Sequence, residues 1–139
     1  MTGFLFSLTF VLAAPFWALM ILAPRWWLTR RIVAAPLIAL PPLVVYALVI
    51  IPRLTEALPV LLSPTLPGMR ALLGTASGAA AAWAHFIAFD LFVGRWMYLD
   101  SRARGIHPLA MAPVLVLTIL LAPLGLLTYL LVFVRFRRA

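Results

Sequence analysis

Four apolar runs organise the chain, at about residues 3–23, 32–52, 76–99 and 109–134. Each is close to the ~20 residues that a helix needs to cross the hydrocarbon core of a bilayer. Three of them end in a marker of the membrane interface. The first closes on Pro24-Arg25-Trp26-Trp27, with Arg30 and Arg31 following, and the second closes on Pro52-Arg53. The last ends in the basic tail Arg135-Phe136-Arg137-Arg138. Arginines and indoles at span ends reach headgroups while their stems stay in the apolar phase. The pattern predicts an all-α integral membrane protein, a four-transmembrane-helix bundle with short loops and both termini on one side, as a single domain over residues 1–139.

Within this frame the prolines carry local information. Pro41-Pro42 and Pro123 each delete a backbone donor, so bends are expected near them in the second and fourth spans. The segment 54–75 is broken by Pro59, Pro64 and Pro67 and is too short to cross; it reads as interfacial or re-entrant. The run Gly78-Ala79-Ala80-Ala81-Ala82 has little side-chain bulk, so another helix can approach the third span closely there.

Composition sharpens the class. Of 139 residues 66% are hydrophobic and 10% charged, far from the balance of a soluble domain. The net charge of +8 comes entirely from arginines, nearly all at span ends. It therefore points to anionic lipid and not to nucleic acid. Arginines are shared almost evenly between the two sides, which leaves the insertion direction open. Cysteine is absent, which excludes disulfides and thiol chemistry. The apolar N-terminal run lacks a preceding basic residue and reads as an uncleaved first span.

The candidate chemistry lies in the third span. His85 and Asp90 fall within about 5 Å of its midpoint along the axis. An ionisable group at that depth costs ~2.5–3.5 kcal/mol on insertion scales, so it needs a partner, a wet pocket or a proton. They are five residues apart, about 140° around the helix and roughly 7.5 Å along it, too far round to bond each other. His85 taken alone reads as a neutral imidazole bonded to a neighbouring helix. Asp90 is either a structural carboxylate paired with Arg or Tyr, or an acid. Both are expected to face protein or a cavity and not lipid. Arg95 either snorkels to headgroups or turns inward to hold the polar end of a substrate. Asp100 and Arg104, four apart, are spaced for an ordinary ion pair if the helix continues. No spacing suits a metal, a catalytic triad or a phosphate loop, and no cofactor is implied.

The string Trp83-x-His85-x-x-Ala88-x-Asp90-Leu91-Phe92-x-x-Arg95, followed by Ala122-Pro123-Leu124-Gly125, resembles the abscisic-acid-deficient-four-like family. These are small four-span membrane proteins, known best from plastids and present in bacteria as a domain of unknown function. The motif tail from Gly94 to Asp100 looks most like the bacterial relatives, which implies a multi-pass protein of the bacterial inner membrane. Plant members are associated with forming neoxanthin from violaxanthin, an isomerisation of a carotenoid epoxide. The resemblance implies an isoprenoid or carotenoid-type lipid as substrate, with Asp90 as the acid and His85 as the base. Trp83, Arg95 and Trp96 would bind the substrate. The alternative is a non-catalytic membrane protein that binds a lipid pigment or a membrane partner, and oligomeric state is left open.

Overall fold

The computed structural model describes residues 1–135; Phe136, Arg137 and Arg138 of the basic tail lie outside the described residues. Helix α1 runs Thr2–Leu22, helix α2 Trp27–Ala34, and a 3-10 turn Pro36–Ala39 leads into α3, Leu40–Ile50. A second 3-10 turn, Ile51–Arg53, joins α3 to α4, Leu54–Leu62. Helix α5 is Leu66–Leu73, α6 is Ala76–Ala103, and α7 is Pro108–Tyr129 with a π-helical extension Leu130–Val134.

Among the described residues three helical stretches are long and apolar enough to cross a membrane: Thr2–Leu22, Pro36–Leu62 and Ala76–Ala103. The expectation of four is met only in part. The fourth apolar run is divided into Pro108–Leu120 and Ala122–Val134 by Leu121, whose φ −145°, ψ 74° is non-helical. The cause lies two residues on. Pro123 has no N–H for the Ile119 carbonyl and its ring crowds the preceding turn. The bend expected near Pro123 is thus a break. At about 20 Å each, the two halves are individually too short to span.

The second span is also displaced, lying at 36–62 and not at 32–52. Residues up to Ala34 form the amphipathic α2, which buries Thr29 and Val33 and exposes Trp27, Arg30 and Arg31. Pro41 and Pro42 lie in the first turn of α3, where a missing N–H costs nothing. The irregularity therefore falls at 36–39, ahead of the pair, and not as a kink at residue 41. Part of the expected interfacial segment, Leu54–Leu62, continues the second span. Only Leu66–Leu73 stands as a separate short helix, capped by the Thr65 hydroxyl at 3.1 Å from the Gly68 N–H.

Two compact units divide the chain. The first comprises residues 1–13 and 40–88. Its core is Val45, Val49, Ala80, Ala81 and Ala84, packed by Leu5, Leu8 and Leu12. The small residues of α6 allow this close packing, as their lack of bulk predicts. Gly78 is required at the entry to α6, since a Cβ there would lie 1.9 Å from the Leu72 carbonyl oxygen. The Thr75 hydroxyl caps the same turn, accepting from the Gly78 N–H at 3.0 Å.

The second unit comprises residues 14–39 and 89–139. Trp17, only 3% exposed, packs its six-membered ring against Gly94 of α6. In α7 the motif Pro123-Leu124-Gly125 has two jobs. Pro123 breaks the helix, and Gly125 lets the second half fold against the first. A Cβ at Gly125 would lie 2.1 Å from Thr118 Oγ1 and 2.8 Å from the Thr118 backbone nitrogen. Thr118 is fully buried there, its hydroxyl donating to the Val114 carbonyl at 2.8 Å.

Candidate functional site

Helix α6 carries the candidate residues, and each unit holds its own share. In the first unit Trp83 is half-buried and stacked on Phe6, with ring centroids 5.2 Å apart and 25° between planes. His85 meets Tyr46 edge-on at 5.9 Å and lies against Phe86 at 6.0 Å. His85 and Phe86 are both exposed, so His85 departs from the expectation that it would face inward. Its helical position explains this. Ala80, Ala81 and Ala84 turn the packed face of α6 toward the core and leave residue 85 on the rim.

In the second unit Asp90 is half-buried between the fully buried Leu91 and the exposed Phe89. Among the described residues its carboxylate makes no hydrogen bond or ion pair. The paired structural carboxylate that the sequence allowed is therefore not the arrangement found. Phe89, Phe92 and Trp96 follow at helical spacing and are 56%, 46% and 41% exposed, a continuous aromatic strip along one face of α6.

Arg95 reaches back to the end of α2. Its Nε donates to the Val33 carbonyl at 2.7 Å and its Nη2 to the Ala34 carbonyl at 2.5 Å. These are carbonyls at the C-terminal end of α2, which lack helical partners and carry the negative end of its dipole. The guanidinium also lies over the Phe92 ring at 5.8 Å. Arg95 thus ties α2 to α6. Trp96 meets the fully buried Tyr129 edge-on at 5.7 Å.

Sequence reasoning did not find the polar layer at the end of α6. The Tyr98 hydroxyl donates to the Pro24 carbonyl at 2.7 Å. Asp100 Oδ2 accepts from Arg104 Nε at 2.6 Å and from the Tyr129 hydroxyl at 2.5 Å. The Asp100–Arg104 spacing signalled the first of these contacts. Nothing in sequence marks Tyr129, 29 residues away, as the second donor. The same unit holds a cavity of about 430 Å³ at the α1–α2 turn and the start of α7. None of Asp90, Arg95 and Trp96 lines it.

An all-helical architecture with three stretches of membrane-crossing length among the described residues defines an integral membrane protein. The chain belongs to the ABA DEFICIENT 4-like family, whose pattern matches residues 4–129. The match extends well beyond the motif of α6 and α7 into the first half of the chain, where no diagnostic residues were evident. No curated protein and no solved structure matches the chain.

Proposed function

We propose that this protein works in the bacterial inner membrane on an isoprenoid or carotenoid-type lipid, as an enzyme of the epoxide-isomerase kind. The observation that carries the reading is Asp90, a half-buried carboxylate with no hydrogen bond or ion pair among the described residues, on a helix that also exposes the rings of Phe89, Phe92 and Trp96. An unpaired acid in apolar helix is costly to keep unless it serves a ligand or holds a proton. Aromatic rings suit the flat face of a polyene. Family membership over nearly the whole chain supports the lipid class. In this reading the two halves of α7 form a fourth, broken pass, which is tolerated in lipid when neighbouring groups satisfy the freed carbonyls.

The chemistry is a proton balance. Asp90 gives its proton to the epoxide oxygen as the carbon–oxygen bond breaks. A base takes a proton from the neighbouring carbon, and the electron pair of that carbon–hydrogen bond forms the new double bond. Nothing is gained or lost, so the product is an isomer. Each proton transfer contributes typically 10²–10⁴-fold. Trp96 and the remaining N–H groups of Arg95 contact the substrate.

One observation favours the non-catalytic alternative, a binder of lipid pigment. Two donors of Arg95 are already taken by the Val33 and Ala34 carbonyls, which suits a scaffold. Mass spectrometry of lipids extracted from the purified protein tests the substrate class common to both. An isoprenoid lipid enriched over the host membrane supports it, and phospholipid alone contradicts it.

A further inference from the structure

We propose that the cavity between the α1–α2 turn and the start of α7 is a binding site for the phosphate of an anionic lipid headgroup. It is a separate site from the aromatic strip of α6 and does not depend on the function proposed above.

Ala23, Pro24, Arg25, Trp26, His107 and Pro108 form its polar end. Arg25 and His107 are its ionisable side chains, and no carboxylate is among its lining residues. Outside the lining, Arg102 lies close enough to Arg25 and Arg30 for both to act on it electrostatically. Arg102 donates through Nη2 to the Ile106 carbonyl, while its Nε is buried without a partner. Asp100, the nearest acid in sequence, is occupied by Arg104 and Tyr129. Guanidinium groups gathered without a counter-charge repel one another, and a bound anion relieves that repulsion.

The backbone strengthens the same sign. Trp26 is the N-cap residue of α2 and His107 that of α7, so two positive helix ends meet at the cavity. The two carbonyls that follow α1 are already occupied. The Ala23 carbonyl accepts from Thr29 Oγ1 at 2.8 Å and from the Trp26 N–H at 3.2 Å. The Pro24 carbonyl accepts from Tyr98.

His107 makes the need for an acceptor explicit. Its Nδ1 accepts from the Leu109 N–H at 3.2 Å, and its Nε2 lies 3.1 Å from Arg25 Nη2. A neutral imidazole accepts at one nitrogen only, so these contacts exclude each other. With Nδ1 capping α7, Nε2 carries the proton, and two donors then converge on one point. A phosphate oxygen placed between them satisfies both. The remainder of the lining, Ile21, Leu22, Leu109 and Ala112, is apolar and continues along α1 and α7. That surface suits acyl chains and favours a lipid over free phosphate.

The test uses the full chain in an uncharged detergent, with native mass spectrometry after addition of phosphatidylglycerol, phosphatidylcholine or inorganic phosphate. The wild type should retain phosphatidylglycerol in preference to phosphatidylcholine. Arg25→Gln should weaken that binding about tenfold, equivalent to ~1.4 kcal/mol. His107→Gln provides a second variant, and Arg70→Gln, in the other unit, should change nothing. Retention of inorganic phosphate but not of phosphatidylglycerol, lost in Arg25→Gln, would keep the phosphate site but overturn the lipid as its source. Equal binding of the two lipids, or undiminished phosphatidylglycerol binding by both the Arg25 and His107 variants, would overturn the proposal.

Discussion

Gly94 and Trp17 offer a contact whose energetic sign can be reversed at will. A Cβ built at Gly94 falls 2.3 Å from Trp17 Cη2 and 2.6 Å from Cζ3, and Trp17 is 3% exposed and has little room to retreat. Overpacking of this kind costs ~1–3 kcal/mol. Replacing glycine by alanine inside a helix gains ~1 kcal/mol in propensity. Gly94→Ala should therefore destabilise the wild type by up to ~2 kcal/mol. The clashing atoms belong to the six-membered ring of the indole. Trp17→Phe withdraws that ring edge, so in its background only the propensity gain remains, and Gly94→Ala should stabilise by ~1 kcal/mol. A double-mutant cycle of unfolding in mixed detergent, followed by circular dichroism because Trp17 is itself altered, reads the coupling directly. The expected coupling of ~1–3 kcal/mol is well above the usual additivity error. Equal effects of Gly94→Ala in the two backgrounds would refute the packing argument.

The same reasoning extends to other sites. Arg95→Met removes two charge-assisted hydrogen bonds and leaves the Val33 and Ala34 carbonyls without donors. Discounted for partial exposure, the loss should be ~2–4 kcal/mol in the same unfolding assay, with Arg95→Lys losing less. Gly125→Ala should cost more than Gly94→Ala, because the atoms that it meets include the backbone of Thr118, which cannot rotate away. Tyr129→Phe should lower stability by ~1 kcal/mol through its lost bond to Asp100 while leaving any lipid binding at Arg25 unchanged.

What was legible in the sequence follows from which signals are local. The extents of α1 and α6 were readable because hydropathy sets them and no proline interrupts their middle thirds to the point of breaking. Proline positions gave the existence of irregularities but not their form. Pro41-Pro42 opens a helix instead of kinking one, and Pro123 breaks α7 at Leu121 instead of bending it. The Asp100–Arg104 contact was evident because both ends lie on one helix. The partners of Arg95 are backbone carbonyls more than 60 positions away, and every residue has a carbonyl, so no sequence signature marks them. Trp83 shows the same limit: its Phe6 partner lies at the other end of the chain's first span. His85, Asp90 and the aromatic strip were identifiable as residue types out of place, yet which face of α6 is covered depends on packing that hydropathy does not resolve.

The most direct test of the central claim is pigment analysis in a bacterial host that makes violaxanthin and expresses either the wild type or Asp90→Asn. Asn is nearly isosteric with Asp and keeps its hydrogen bonding, but has no carboxylic proton to give. Chromatography of the extracted pigments should show an isomer of the epoxide carotenoid with the wild type and none with Asp90→Asn, at equal levels of folded protein. An unchanged pigment profile with the wild type, or equal conversion by Asp90→Asn, would contradict the account.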